Sequence, residues 1–230
     1  MSTAEFVIPP PNQPSLAIAG RTERFPVRRI WCVGRNYLEH VRELGNDEKQ
    51  PPFFFGKHAD MVAPDGAVIP FPSLTNDLQH EVELVVALHS GGTDIAPNDA
   101  LGHVYGYGVG IDLTRRDLQT AARKKEQPWE IGKSFDHSAP CSPLRAASEI
   151  GHPEKGRIWL SVNGAVKQNG DLAQMIWKTS DVIAKLSQQV SLGAGDIILT
   201  GTPAGVAALK PGDRIACGID GVGTLNVSIH

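Results

Sequence analysis

Glycine and proline punctuate this chain so evenly that its apolar segments have room only for short strands and brief helices. The 230 residues hold 24 glycines and 17 prolines, both above ordinary usage and scattered along the length. Between these breaks lie β-rich runs: FPVRRIWCVG (25–34), HEVELVVAL (80–88), YGYGVGIDLT (105–114) and DIILTGTPAGV (196–206). The stretch PPFFFGKHADMVAPDGAVIPFP (51–72) alternates apolar runs with Pro and Asp-Gly turn signals, which predicts strands joined by tight connections. In GRIWLSVNGAVKQ (156–168), Asn163-Gly164 between two alternating runs predicts a hairpin, and PGDRIACGIDGVGTLNVSIH (211–230) adds two strands. Helical spacing is confined to short pieces. NYLEHVRELG (36–45) has Asn36 and Gly45 as caps, 97–101 allows one short turn, and RRDLQTAARKKEQ (115–127) ends at Pro128. SDVIAKLSQQVSL (180–192) carries Val182, Ile183, Leu186 and Val190 on one face, with Ser180 as its expected cap and Gly193 ending it. Strict βα alternation is absent, so a doubly wound sheet is disfavoured and a mixed, β-dominated domain is expected.

Composition narrows the function classes. The chain is 41% hydrophobic and 20% charged with a net charge of -3, an ordinary globular balance without a basic stripe for nucleic acid. Cys32, Cys141 and Cys217 are odd in number and widely spaced, which suggests neither a zinc ribbon nor a disulfide scaffold and favours a reducing compartment. The opening MSTAEFVIPPPNQPS has no basic and apolar signal-peptide pattern, and no stretch of about 18 apolar residues follows. The expectation is therefore a cytoplasmic protein without nucleic-acid or membrane partners. Residues 1–24 are expected as an extended arm and 25–230 as one catalytic domain.

The strand HEVELVVAL carries Glu81 and Glu83 two apart, so both carboxylates project from one face. Buried together they repel and lose hydration, a conflict that a divalent cation removes. Asp112, an acid in the small and apolar run GVGIDLT, is the natural third oxygen ligand of an open site. Glu-x-Glu spacing by itself favours the solvent face of an edge strand. His40 and Glu43, three apart, share a helix face, either as a solvated pair or as a general base oriented by a carboxylate. Lys133 in WEIGKSFD is a surface lysine or an anion stabiliser. Gly201, Thr202 and Gly205 in LTGTPAG form either a plain turn or a cradle for a substrate carboxylate. Of the other histidines, His58, His89, His103, His137 and His152 are too dispersed for a metal cluster.

Taken in order, seven blocks resemble the fumarylacetoacetate hydrolase family in its short, single-domain form. They are CVGRNYLEHVRELG, PPFFFGKHAD, DLQHEVELVVAL, GYGVGIDLTRRDLQ, PWEIGKSFD, SVNGAVKQNGDLAQMIW and LTGTPAGV, and they run from about Val27 to the C-terminus. The resemblance implies an α+β, β-dominated roll or sandwich of mixed sheets, a homodimer, and one Mg2+ or Mn2+ per subunit. It places the metal on Glu81, Glu83 and Asp112, the catalytic pair on His40 and Glu43, and the active-site lysine on Lys133. Arg116, Gln119 and Thr202 match positions that contact a small-molecule 2-oxo acid substrate. The family's Lys-Pro is Lys57-His58 here, so the block assigns Lys57 no role. Larger members add an N-terminal domain and a fourth carboxylate that this chain lacks. The implied activity is hydrolysis of a carbon–carbon bond in an acylpyruvate; the same platform would serve decarboxylation of oxaloacetate or isomerisation of a dienoic diacid. A catalytically silent member is disfavoured, because all five acid and imidazole positions are kept.

Overall fold

A computed structural model describes residues 6–37 and 51–230. The expected helix over 36–45 falls almost wholly outside them. The chain opens with an antiparallel pair, β1 (Ser15–Ala17) and β2 (Arg24–Pro26), and continues through β3 (Arg29–Gly34), β4 (Phe53–Lys57), β5 (Val62–Ala63), β6 (Val68–Ile69) and β7 (Leu78–Gln79). The central strand β8 (Val82–Leu88) is followed by the one-turn helix α1 (Pro97–Ala100), then β9 (Val104–Ile111) and β10 (Thr114–Arg115). Helices α2 (Arg116–Lys124) and α3 (Glu130–Lys133) precede β11 (Ala139–Pro140), β12 (Arg145–Ala146) and α4 (Ala147–Ile150). The last third comprises β13 (Arg157–Val162), β14 (Ala165–Asp171), α5 (Thr179–Ser187), β15 (Asp196–Leu199), β16 (Arg214–Ile219) and β17 (Gly223–Ile229).

Two mixed sheets carry the architecture. One is six-stranded in the order β12-β9-β8-β15-β3-β4, with β15 parallel to β3; the other is five-stranded, β14-β13-β16-β17-β6. This is the β-dominated α+β sandwich expected from the sequence. The inner faces of both sheets meet in one core: Val82, Leu84 and Val86 of β8 with Val109 and Ile111 of β9, against Ile158, Leu160, Ile215, Cys217 and Leu225. The opposite face of β8, Val85 and Ala87, joins a second cluster with Ile30, Cys32, Ile197, Leu199 and, from the N-terminal pair, Leu16 and Phe25. Both faces of β8 are therefore covered, which explains its unbroken burial. Period-2 alternation sends Glu81 and Glu83 to the face of Val85 and Ala87. Among the described residues no helix is long and apolar enough to cross a membrane.

Local detail departs from the sequence reading in two places. Ser180 lies inside α5, which begins at Thr179; the backbone N–H of Lys178 is taken by the Asp181 carboxylate, 3.2 Å away. The helix also stops at Ser187 rather than near Gly193, because the Ser187 hydroxyl donates to Ala184 O and accepts from Ile95 N–H, tying that turn to a distant loop. The hairpin forms as expected, with Asn163 and Gly164 at φ +52° and +82°. The three thiols are buried and unpaired; burial raises each pKa, Cys141 to about 12, so none is a nucleophile at neutral pH.

Candidate metal centre and substrate cleft

The register of β8 and β9 assembles the acidic cluster. Val82 pairs with Ile111 and Glu83 with Gly110, and the ladder continues one step further as Asp112 N–H donates to Glu81 O at 2.8 Å. Glu81 and Asp112 are thus cross-strand neighbours, and Glu83 stands two residues along on the same face. Their carboxylate oxygens approach within 4.8 Å of one another, and all three residues are buried, Glu83 at 2% exposure. An edge strand with solvated glutamates is excluded, since β8 is an interior strand of its sheet.

Cations and backbone donors compensate the cluster incompletely. Lys133, the last residue of α3, gives its three N–H bonds to Glu81 Oε2 (2.8 Å), Asp112 Oδ2 (2.7 Å) and Thr114 Oγ1 (2.7 Å). Its burial opposes the charge, yet Asp112 and Glu81 outweigh that and hold its pKa above the ordinary lysine value. Arg116 pairs with the other oxygen of Glu81, and Gly201 N–H donates to Glu83 Oε2 at 2.6 Å. Burial first, and then the carboxylates of Asp112 and Glu81, push the Glu83 carboxyl well above its usual range. Asp112 Oδ1 is buried without a hydrogen-bond donor in line, although Lys57 Nζ lies 2.8 Å away as an ion-pair contact. Oxygen-only side chains crowded together out of water, and a carboxyl whose pKa burial and its acidic neighbours raise, are what a hard divalent cation would relieve, so Glu81, Glu83 and Asp112 could hold one.

Above the carboxylates opens a cleft. Helix α2 forms one side, with Arg116, Gln119, Thr120 and Arg123 along it. Arg116 Nη1 donates to Gln119 Oε1 at 2.6 Å and its Nε to Gln79 Oε1 at 2.9 Å, which fixes both side chains. An aromatic wall of Phe53, Phe55 and Trp129 faces it, Phe53 and Trp129 meeting edge to face at 4.9 Å between centroids. Thr202 reaches the cleft from the loop after β15. Its hydroxyl has a defined polarity. Gln168 of β14 accepts Val82 N–H (3.1 Å) at Oε1, so its amide nitrogen must donate to Thr202 Oγ1 (2.7 Å) and Pro203 O (2.8 Å). Thr202 is left with a proton to give toward the cleft. His80 Nδ1 shares the same Gln168 oxygen at 2.9 Å, and burial lowers its pKa, so it serves as a neutral structural donor.

Two glycines permit these approaches. Gly201, at φ +99°, has its Cβ position 2.8 Å from Asn36 Cβ, and a side chain there would pull its N–H off Glu83. Gly132 lets α3 lie on α2: a Cβ would sit 2.7 Å from Gln119 N and 2.8 Å from Gln119 Cα. Backbone cannot yield as a side chain can. Gly132→Ala is expected to cost about 1–3 kcal/mol by overpacking and to lower turnover by displacing Lys133 and Gln119 together. Thermal unfolding and steady-state kinetics check it; wild-type values for both would show that the helix contact is dispensable.

The cleft thus brings together seven of the nine expected residues, Glu81, Glu83, Asp112, Lys133, Arg116, Gln119 and Thr202. His40 and Glu43 lie outside the described residues. The sequence reading missed Lys57, which is 4% exposed and bonded to Leu113 O at 3.2 Å. The available signal was a lysine closing the apolar run FFFGK. It also missed Gln168, which carries no signal in the sequence and is the one fully buried residue of β14.

Comparison with known proteins gives this geometry a family. The signature described as Fumarylacetoacetate (FAA) hydrolase C-terminal matches residues 29–230. The chain belongs to the fumarylacetoacetate hydrolase family. A solved member of similar build is "fumarylpyruvate hydrolase from Pseudomonas aeruginosa in complex with Mn2+ and pyruvate", 46% identical, with a TM-score of 0.96 over 98% of this chain and 99% of that one. A solved chain from Burkholderia cenocepacia is 52% identical, TM-score 0.94, covering 100% of this chain and 96% of the other. Among curated family members, "Oxaloacetate decarboxylase, mitochondrial" of Dictyostelium discoideum is 40% identical over 86% of this chain and 91% of its own length. "Oxaloacetate tautomerase FAHD1, mitochondrial" of Rattus norvegicus is 38% identical over 89% and 96%.

Proposed function

We propose that this chain is a metal-dependent acylpyruvate hydrolase that cleaves fumarylpyruvate to fumarate and pyruvate, with Mg2+ or Mn2+ as cofactor. The observation that carries the reading is the buried, oxygen-only triad Glu81, Glu83 and Asp112 at the floor of a cleft that also presents Arg116, Gln119, Lys133 and Thr202. The Pseudomonas relative, whose solved structure holds Mn2+ and pyruvate, supports it. Held by the triad, the ion supplies Lewis acidity for the negative charge that develops on the pyruvate end. Arg116, braced by Gln79 and Gln119, and the Thr202 hydroxyl orient the 2-oxo acid. His40, oriented by Glu43, removes a proton from the water that attacks the distal carbonyl, and the charge of Lys133 offsets the oxyanion formed there. The bond between that carbonyl and the methylene breaks; the water's hydroxyl ends on the acid, and its proton on the pyruvate methyl. A cytoplasmic homodimer acting in the breakdown of aromatic compounds completes the proposal, on the strength of the family resemblance.

A second reading is favoured by the two mitochondrial relatives: decarboxylation or tautomerisation of oxaloacetate, which needs the same enolate stabilisation without attack by water. A substrate panel separates the two. With Mn2+ present, pyruvate and fumarate release from fumarylpyruvate is expected to exceed carbon dioxide release or enol–keto conversion of oxaloacetate by at least about tenfold in kcat/KM. The reverse order would replace the first reading by the second.

A further inference from the structure

We infer that Arg123 is the specificity residue that selects acylpyruvates whose acyl group ends in a carboxylate, a conclusion that rests on the hydrolase reading above. Helix α2 presents Arg116, Gln119, Thr120 and Arg123 to the cleft. The spacing of three, four and seven residues puts them on one helix face, about 10 Å from first to last at 1.5 Å per residue. From Gln119 outward, exposure rises along this line. Gln119 is buried beside the triad, Thr120 is half-buried, and Arg123 is exposed at the mouth. An extended substrate with its 2-oxo acid end at Arg116 therefore points its acyl tail along the helix toward Arg123.

Charge bookkeeping singles out the same residue. At the floor, Lys57, Lys133 and Arg116 are already engaged with Asp112 and Glu81. Arg123 makes no ion pair or side-chain hydrogen bond with any described residue, although it lines the cleft. Its neighbours Lys124 and Lys125 do not line the cleft. On the facing side the Arg35 guanidinium is stacked at 5.3 Å from the Phe53 centroid, against the aromatic wall. A guanidinium presents a planar fork that takes a carboxylate through two parallel hydrogen bonds. Between the two arginines of α2, the aromatic wall offers flat apolar surface to an unsaturated linker. The cleft is thus built for a molecule that is anionic at both ends and planar between.

Two measurements on Arg123→Gln test this. In the Mn2+-loaded protein, kcat/KM for fumarylpyruvate is expected to fall about tenfold to a hundredfold, while that for acetylpyruvate, which has no distal carboxylate, stays within about twofold. In calorimetric titrations wild type is expected to bind 2-oxoadipate at least about tenfold more tightly than 2-oxohexanoate, and Arg123→Gln to remove that preference. An unchanged preference in the variant, or an equal loss on acidic and neutral tails, overturns the assignment. If wild type hydrolyses neither acylpyruvate, the hydrolase reading fails, and the affinity ratio still decides the role of Arg123.

Discussion

Glu83→Ala is expected to abolish metal-dependent turnover while the chain stays folded. Loss of even an outer hydrogen-bond partner of a metal ligand costs about 10- to 100-fold in affinity or activity, so loss of one of three ligands should cost at least about 100-fold. The fold has less at stake. Glu83 is a buried acid repelled by Asp112 and Glu81, and its one strong native contact is the Gly201 N–H. Alanine leaves that donor unpaired, at about 1–3 kcal/mol, partly offset by the relieved repulsion. Glu83→Gln is the sharper variant, since it keeps an acceptor for Gly201 and imitates the protonated acid. It should match wild-type stability without metal and still fail to respond to Mn2+. Calorimetric Mn2+ titration, circular dichroism and turnover at limiting Mn2+ decide the matter; full activity of either variant would reject the metal assignment.

The same carboxyl makes the metal-free protein sensitive to pH in a defined direction. With the Glu83 pKa raised by burial and its acidic neighbours, the folded chain holds a proton that an unfolded glutamate has already lost. The folded state then binds more protons than the unfolded one, so stability is full below the ordinary carboxylate range and declines as pH rises through the raised value. Deprotonation is also what an oxygen ligand requires, so Mn2+ affinity should climb across that interval. Melting temperatures of the metal-free protein should therefore fall with pH more steeply for wild type than for Glu83→Gln.

The shared face of the acidic residues was legible in sequence because strand periodicity is local, whereas their reading as metal ligands came from the family resemblance. Two glutamates separated by one valine must share a face, and the small-residue run ending at Asp112 reads as a strand from its own alternation. Sheet order was not legible. Inserting β15 between β8 and β3 joins strands more than a hundred residues apart, and no local pattern encodes that choice. Lys57 shows the consequence. In sequence it ends an apolar strand, as a solvated lysine would, and only the pairing of β4 with β3 beneath the Asp112 loop buries its ammonium. Gln168 is a parallel case, polar within a polar hairpin, whose function lies in bonds to Val82 and Thr202 that cross between the sheets. The early end of α5 has the same origin, a tertiary bond from Ser187 to Ile95 that helical periodicity does not report. Lys133 and Thr202, whose contacts are equally long-range, were expected only through the family resemblance.

His40→Ala is expected to lower fumarylpyruvate hydrolysis by about 10²- to 10⁴-fold, the usual contribution of a general base. Mn2+ affinity should stay near wild type, because Glu81, Glu83 and Asp112 are all retained. The two reactions that the platform could run respond differently to this change. Cleavage of an acylpyruvate needs a deprotonated water at the distal carbonyl, whereas loss of carbon dioxide from oxaloacetate needs only stabilisation of the enolate left behind. Any decarboxylase activity should therefore survive in His40→Ala, and the ratio of the two activities should shift by nearly the whole hydrolytic loss. Hydrolysis at the wild-type rate would remove His40 from the mechanism. Equal loss of both reactions would instead mean that His40 shapes the enolate site itself, and the attacking water would then need another base.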